Sequence, residues 1–167
     1  KKHNVDLRQA KIETPGIQAY DVEDVSKYSA IYAAQKLETN VIKSDVGYYI
    51  EDLHGFPGVF VKYINNMLDS EDILKMMKDK KNRTIYLKEC LTFATPEGKI
   101  KQFLQVEKAT IYKEAMGNGT TFDKIVVLKG DKLPKSMNSE DKNLKHFEEQ
   151  LKIYDEMARF IEEEQEN

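Results

Sequence analysis

Two carboxylates stand where a hard metal ion could be held against a phosphate. Glu23 falls in the first turn of a helical pattern, and Asp45 ends an apolar, strand-like run just before Gly47. Acids at element ends facing one cleft are a usual way to bind Mg²⁺. Taken singly, each has a plainer reading: Glu23 as a partner of the helix dipole, Asp45 as a turn residue. The one cysteine, Cys90, lies inside the run Ile85 to Phe93. A core thiol is expected there rather than a nucleophile. A lone cysteine forms no intrachain disulfide, so a reducing, cytoplasmic setting is expected.

The elements that must position these residues form one domain. The chain has 167 residues, 40% hydrophobic and 33% charged, a balance that supports a packed core. Net charge is -3, from 26 basic and 29 acidic residues. Without a net basic field, a general nucleic-acid binder is disfavoured. A small anion in a locally positive pocket remains compatible. No apolar stretch reaches membrane-spanning length, and no signal peptide is visible at Lys1.

Val5-Asp6-Leu7 alternates like a short strand. Thr14-Pro15-Gly16 breaks the chain. Asp21 is placed to cap a helix running to about Leu37, with Val22, Val25, Ser29, Tyr32 and Ala33 inward. Thr39 to Ser44 reads as a short buried strand that Gly47 ends or turns, and Tyr48-Tyr49-Ile50 as another. Pro57 could open a helix carrying Val59, Tyr63 and Met67. Ser70 is the expected N-cap of a further helix, with Ile73, Leu74, Met76 and Met77 inward. Arg83–Phe93 and Ile100–Tyr112 read as a hairpin about the Thr95–Gly98 turn. A loop holds Gly117-Asn118-Gly119, and Phe122–Leu128 reads as a strand. Ser139 begins one long helix, with Leu144, Phe147, Leu151, Tyr154, Met157 and Ile161 at helical spacing. The polar end, 162–167, is expected to fray. The order gives an α/β fold: a mixed, twisted sheet with flanking helices, in two lobes around a nucleotide cleft.

The run Val41-Ile42-Lys43-Ser44-Asp45-Val46-Gly47-Tyr48, followed by Asp52-Leu53-His54-Gly55-Phe56-Pro57-Gly58-Val59-Phe60, resembles the central signature of the inosine-triphosphate pyrophosphatase family. Pro15-Gly16-Ile17-Gln18 with Val22-Glu23-Asp24, then Arg83, the Gly-x-Gly loop leading to Phe122-Asp123, and Ser139-Glu140-Asp141-Lys142-Asn143 follow in family order. The resemblance spans nearly the whole chain and is most specific in its centre. It implies hydrolysis of non-canonical purine nucleoside triphosphates, such as ITP and XTP, to monophosphate and pyrophosphate. It also implies Mg²⁺ and a homodimer. Glu23 and Asp45 would bind the metal, and Asp45 would also orient and deprotonate the attacking water. Ser44, Lys142, Asp123, Gly119, Phe122 and Asn143 would meet the nucleotide, with Asp123 reading base N–H groups.

The departures bear on the same site. Ser44 takes the place of the first acid of the family's pair, removing one negative charge beside the metal. Thr120 stands where an aromatic stacks on the purine, and Lys124 where proline follows Asp123. The family's Ser-His-Arg segment is absent after Asn143; His146 is read first as a surface or cap residue near a helix start and only second as a stand-in for the family histidine. The family opens with a strand and a Thr/Ser-x-x-Asn-x-x-Lys phosphate loop. None precedes Lys1: either the sequence starts inside the family's chain, the favoured reading because the match begins mid-element, or the loop is lacking; residues 1–167 are then a single domain without that strand and loop. Lys1-Lys2 would end the helix after it. The alternative function is a catalytically impaired relative that binds a nucleotide or a protein partner.

Overall fold

The computed structural model describes residues 3–166; Lys1-Lys2, expected to end a helix, lie outside them. The elements run α1 (Val22–Leu37), β1 (Val41–Ile50), β2 (Phe56–Gly58), α2 (Val61–Met67), α3 (Ser70–Met76), β3 (Thr84–Ala94), β4 (Ile100–Ile111), β5 (Val126–Val127), α4 (Glu140–Gln150) and α5 (Lys152–Glu166). The strands form one five-stranded sheet in the order β2-β1-β3-β4-β5. This is the expected α/β class. β1 pairs antiparallel with β2 through Tyr48–Ile50, and β4 with β5 through Thr110 and Ile111. β3 and β4 form the expected hairpin. Its closed end bonds Thr95 N–H to the Lys99 carbonyl, and its open end bonds Ile111 N–H to the Arg83 carbonyl. Carried along the strands from the closed end, this register sets Glu89 opposite Gln105.

The described chain divides into two compact units. The first holds residues up to Asp45, Glu89–Gln105, and residues from His146 on. Its α1 presents small residues inward: Ser26, Ser29, Ala30, Ala33 and Ala34. Ala30 and Ala34 meet Ala94, with Val41 and Ile100 beside them. Small side chains let the helix approach closely, so Tyr32, expected inward, is 38% exposed. Asp21 takes the N-cap position with an extended backbone but makes no side-chain cap bond. A second cluster joins Leu91 and Phe93 to Ile153, Met157 and Ile161 of α5, the i, i+4, i+8 stripe of one helix face. The second unit, Val46–Lys88 and Val106–Lys145, has the larger core. Ile50, Ile73, Met77, Ile85, Ile111, Phe122 and Ile125 are fully or nearly fully buried there.

Several sequence expectations are corrected. Val5–Leu7 forms no strand: the extended segment is held instead by Asn4 N–H to Glu162 Oε1 and by Val5 against the α5 cluster. β1 is one continuous strand through Gly47, so Asp45 lies within it rather than at its end. Pro57 sits in edge strand β2 opposite Tyr49, not at a helix start, a place where its missing N–H is tolerated. The N-cap of α3 is Asp69, whose capping box with Asp72 is complete. Ser70 is the first helical residue, and its hydroxyl donates to the Thr121 carbonyl at 2.7 Å. Met76 is 36% exposed while Met77 is fully buried. Phe122–Leu128 is mostly a turn, closed by Ile125 and Val126 N–H on the Phe122 carbonyl, with strand only at Val126–Val127. A short apolar run does not distinguish the two. The terminal helix is two helices, divided at Leu151, whose N–H turns back to the Glu148 carbonyl. Leu144 and Phe147 are consequently exposed. The tail stays helical to Glu166, tied by Glu162 to Asn4 and by Glu164 to Lys99.

Gly47 has a physical reason to be glycine that is not backbone freedom. An added Cβ would lie 2.7 Å from the Tyr49 ring, which sits under Lys88 Nζ at 4.5 Å from its centroid. Gly47→Ala should therefore lower unfolding free energy by about 1–3 kcal/mol, the usual cost of overpacking. Adding Tyr49→Leu should recover most of it in a urea titration. Equal stability of Gly47→Ala and the parent would show that the ring moves aside freely.

Candidate active site

The first unit builds its site around a buried polar seam. Ser26, one helical turn after Glu23, projects its hydroxyl onto the sheet. Its Oγ lies 2.7 Å from Thr92 Oγ1, 3.3 Å from the Cys90 carbonyl and 3.5 Å from the Lys43 carbonyl. Gln102 Nε2 donates to Thr92 Oγ1 at 2.9 Å and to the Glu23 carbonyl at 2.8 Å. One hydroxyl and one amide thus fix the first turn of α1 over β1, β3 and β4.

Asp45 and Lys43, two apart on β1, share a strand face. Their side chains pair at 3.4 Å, with Lys43 28% and Asp45 21% exposed. Burial raises the Asp45 carboxyl above the ordinary aspartate value; Lys43 and Ser26 oppose this without cancelling it. Beneath lies Cys90, wholly buried as expected. Burial raises its thiol, and the charges of Glu23 and Asp45 raise it further. Both carboxylates thus act electrostatically on one sulfur.

Ser44 faces the other side of β1. Its hydroxyl donates to Glu89 Oε2 at 2.8 Å, which also accepts from Tyr154 at 3.4 Å. The charge lost at position 44 is thus not lost from the face that carries Asp45. A groove of about 1050 Å³ in the same unit runs along Val41–Ser44, the end of α1 and the 5–14 segment. Neither Glu23 nor Asp45 lines it.

The second unit carries the remaining predicted residues. Asp123 lies in a turn, not a strand. Its Oδ2 accepts Thr120 N–H at 3.2 Å, and its own N–H donates to Thr120 Oγ1 at 3.2 Å. Thr120 is exposed and serves as a small hinge for that carboxylate. Gly119 has φ +136, and a Cβ there would come 3.1 Å from Asp123, so glycine is required twice over. Phe122, expected against substrate, is fully buried. Its ring packs edge-on to Tyr48 at 5.6 Å, so it anchors the turn from below. Lys142 is held by Asp131 at 3.0 Å, while Asn143 is exposed on α4. Lys124 is half-buried, and its N–H closes the turn on the Thr120 carbonyl at 3.4 Å. His146 falls in the first unit, on α4.

Sequence reasoning missed Lys43, although its i–2 spacing from Asp45 on a strand was a usable signal. It also missed Glu89, Tyr154 and Lys135. Lys135 sits in a short 3₁₀ turn, Lys135–Met137, with no periodicity to mark it.

Among the described residues, no three His, Cys, Asp or Glu side chains converge on a metal position. Magnesium does not require three, since it commonly takes one or two carboxylates together with water and substrate phosphate. The hard oxygens of Glu23 and Asp45 fit that donor set. No helix among the described residues is long and apolar enough to cross a membrane.

The description "Ham1 family" belongs to a family model that matches residues 1–148. A dITP/XTP pyrophosphatase of Saccharolobus solfataricus is 31% identical over 97% of this chain and 84% of its own length. One from Pyrococcus horikoshii is 34% identical over 90% and 82%. The Ham1 protein of Staphylococcus aureus superposes with a TM-score of 0.76 at 20% identity, over 92% of this chain and 82% of that one. That structure supports the fold.

Because burial, not a partner, dominates Asp45, its effect on stability has a definite sign. A raised folded-state pKa in an acid gives stability at low pH that is lost as pH rises through that pKa. In metal-free buffer, Asp45→Asn should be at least as stable as the parent at pH 7. The difference should vanish below the ordinary aspartate value, near pH 4. Denaturation curves at both pH values check this; a less stable variant at pH 7 would mean that the Lys43 pair outweighs burial.

Proposed function

Because the chain belongs to the Ham1 family, we propose that it hydrolyses non-canonical purine nucleoside triphosphates, of the ITP and XTP kind, to monophosphate and pyrophosphate. The observation that carries this reading is the half-buried Asp45 on β1, together with Glu23 in the first turn of α1, which Gln102 ties to Thr92. The half-buried Asp45 is a stronger base than a solvated aspartate, as a residue that takes a proton from water should be.

In this reading Asp45 orients a water toward the α-phosphorus and accepts its proton as the new P–O bond forms. The bond from that phosphorus to the bridging oxygen breaks, and pyrophosphate leaves with the bonding pair. Glu23 and Asp45 would hold Mg²⁺, which supplies neutralisation of phosphate charge when bound. Lys43 keeps the Asp45 carboxylate in one rotamer. Gly119, Asp123, Lys142 and Asn143 belong to nucleotide recognition, with Phe122 supporting Asp123 from the core. The same reading carries a homodimer and a cytoplasmic location.

A non-catalytic nucleotide-binding role is the second reading, favoured by the Lys43 ion pair that already occupies Asp45. Pyrophosphate release with Mg²⁺ separates the two. Asp45→Asn should reduce turnover of ITP by at least about a hundredfold, in the range of lost acid–base catalysis, and EDTA should abolish it in the parent. Full activity in Asp45→Asn would remove Asp45 from the mechanism. No release from any triphosphate would favour the second reading.

A further inference from the structure

Lys135 is a half-buried cation that the reading above leaves without a role. Its Nζ stands 3.4 Å from Asp123 Oδ1, with the two side chains 24% and 33% exposed. It lies 6.0 Å from the centre of the Tyr48 ring. The two turns that carry the pair are stitched together. Ser136 N–H donates to the Asp123 carbonyl at 3.0 Å, and the Ser136 hydroxyl donates to the Met116 carbonyl at 2.5 Å. The pair is therefore a fixed acid beside a fixed base, not two mobile surface chains.

We propose that Asp123 and Lys135 together read the lactam edge of a 6-oxopurine, the carboxylate accepting N1–H and the ammonium donating to O6. This rests on the pyrophosphatase reading and names its base determinant. The count of donors and acceptors allows it. An aspartate offers about four acceptor positions, and the Asp123 side chain spends one on Thr120 and one on Lys135. An ammonium has three donors, of which Asp123 takes one and the Tyr48 hydroxyl another, leaving one. Both groups thus keep capacity on their exposed side. Burial disfavours the Lys135 ammonium, but Tyr48 and Asp123 outweigh it, and its pKa stands above the ordinary lysine value. The donor is permanently charged at neutral pH.

Adenine presents the opposite pattern at the same two positions, a bare N1 and an amino group. It would set acceptor against acceptor and donor against donor, leaving charged groups unpaired. A site built to bond a polar edge rejects such an analogue far more strongly than a purely apolar pocket does. Lys135 also lies in a different segment from the absent Ser-His-Arg stretch, so base reading would have moved along the chain rather than been lost.

The test uses the full chain. Calorimetry measures binding of inosine and adenosine monophosphates, and pyrophosphate release is measured from ITP and ATP, for the parent, Lys135→Met, Lys135→Arg and Asp45→Asn. Lys135→Met keeps the aliphatic stem, so the stitched turns should survive; thermal melting checks that. The inosine-to-adenosine preference should fall about tenfold or more in Lys135→Met, as loss of a hydrogen bond to a charged group implies. It should be largely retained in Lys135→Arg and unchanged in Asp45→Asn, which loses turnover only. An unaltered preference in Lys135→Met overturns the inference and leaves the hydrolase reading standing. An equal loss in Lys135→Arg accompanied by lowered melting marks a purely structural role and also overturns it. A parent that binds inosine monophosphate preferentially, with Asp45→Asn fully active, overturns the assignment of Asp45 and not the base determinant. A parent that binds neither nucleotide overturns both.

Discussion

The hydroxyl of Ser26 is the constraint on which the first unit's chemistry depends. It is wholly buried and touches a strand side chain and two strand carbonyls. A buried hydroxyl without partners costs about 1–3 kcal/mol, so α1 has one depth and one rotation at which the seam closes. Glu23 stands one turn away and inherits that rotation. Gln102 reinforces it by bonding the Glu23 carbonyl rather than its carboxylate, leaving the acid itself free of that amide. The alanine face of α1 is the apolar counterpart: only methyl-sized side chains bring the helix near enough for Ser26 to reach Thr92.

Much of the fold was legible because its signals are local. The β3–β4 hairpin follows from a Pro-Gly turn between two β-prone runs, and α1 from an acid-started, alanine-rich pattern. What was not legible depends on tertiary choice. Asp69 and Ser70 are both good caps, and the chain chose the one that frees Ser70 to satisfy the Thr121 carbonyl. Gly47 reads as a break, yet the strand passes through it because the ring of Tyr49 needs the space. Phe122–Leu128 has the composition of a strand but buries Phe122 and Ile125 through a turn. Leu144 and Phe147 fit a helical stripe that α4 does not bury. At the site, Glu23, Asp45 and Asp123 stood out through a resemblance, whereas Lys135 gave no sequence signal at all.

The departure at Ser44 takes on a different weight in three dimensions. Strand alternation directs it toward Glu89 and Tyr154, away from the face shared by Lys43 and Asp45. The polar character of the position is kept on the α5 side, where Glu89 accepts both hydroxyls. Thr120 is similar: it is no stacking platform, yet its N–H and hydroxyl clamp Asp123 at both ends of a tight turn. Both departures place a hydroxyl in a hydrogen bond beside an acid: Ser44 donates to the Glu89 carboxylate, and Thr120 accepts from the Asp123 backbone N–H.

Each unit is assembled from separate stretches of chain, three in the first and two in the second. The last stretch of the second unit ends at Lys145, whereas the first still needs His146 onward. On the ribosome, therefore, the larger core can close while the first unit's stretch up to Asp45 still waits for its partners. Ile153, Met157 and Ile161 emerge only after the second unit's last stretch. For the same reason no single proteolytic cut can free either unit as an intact piece.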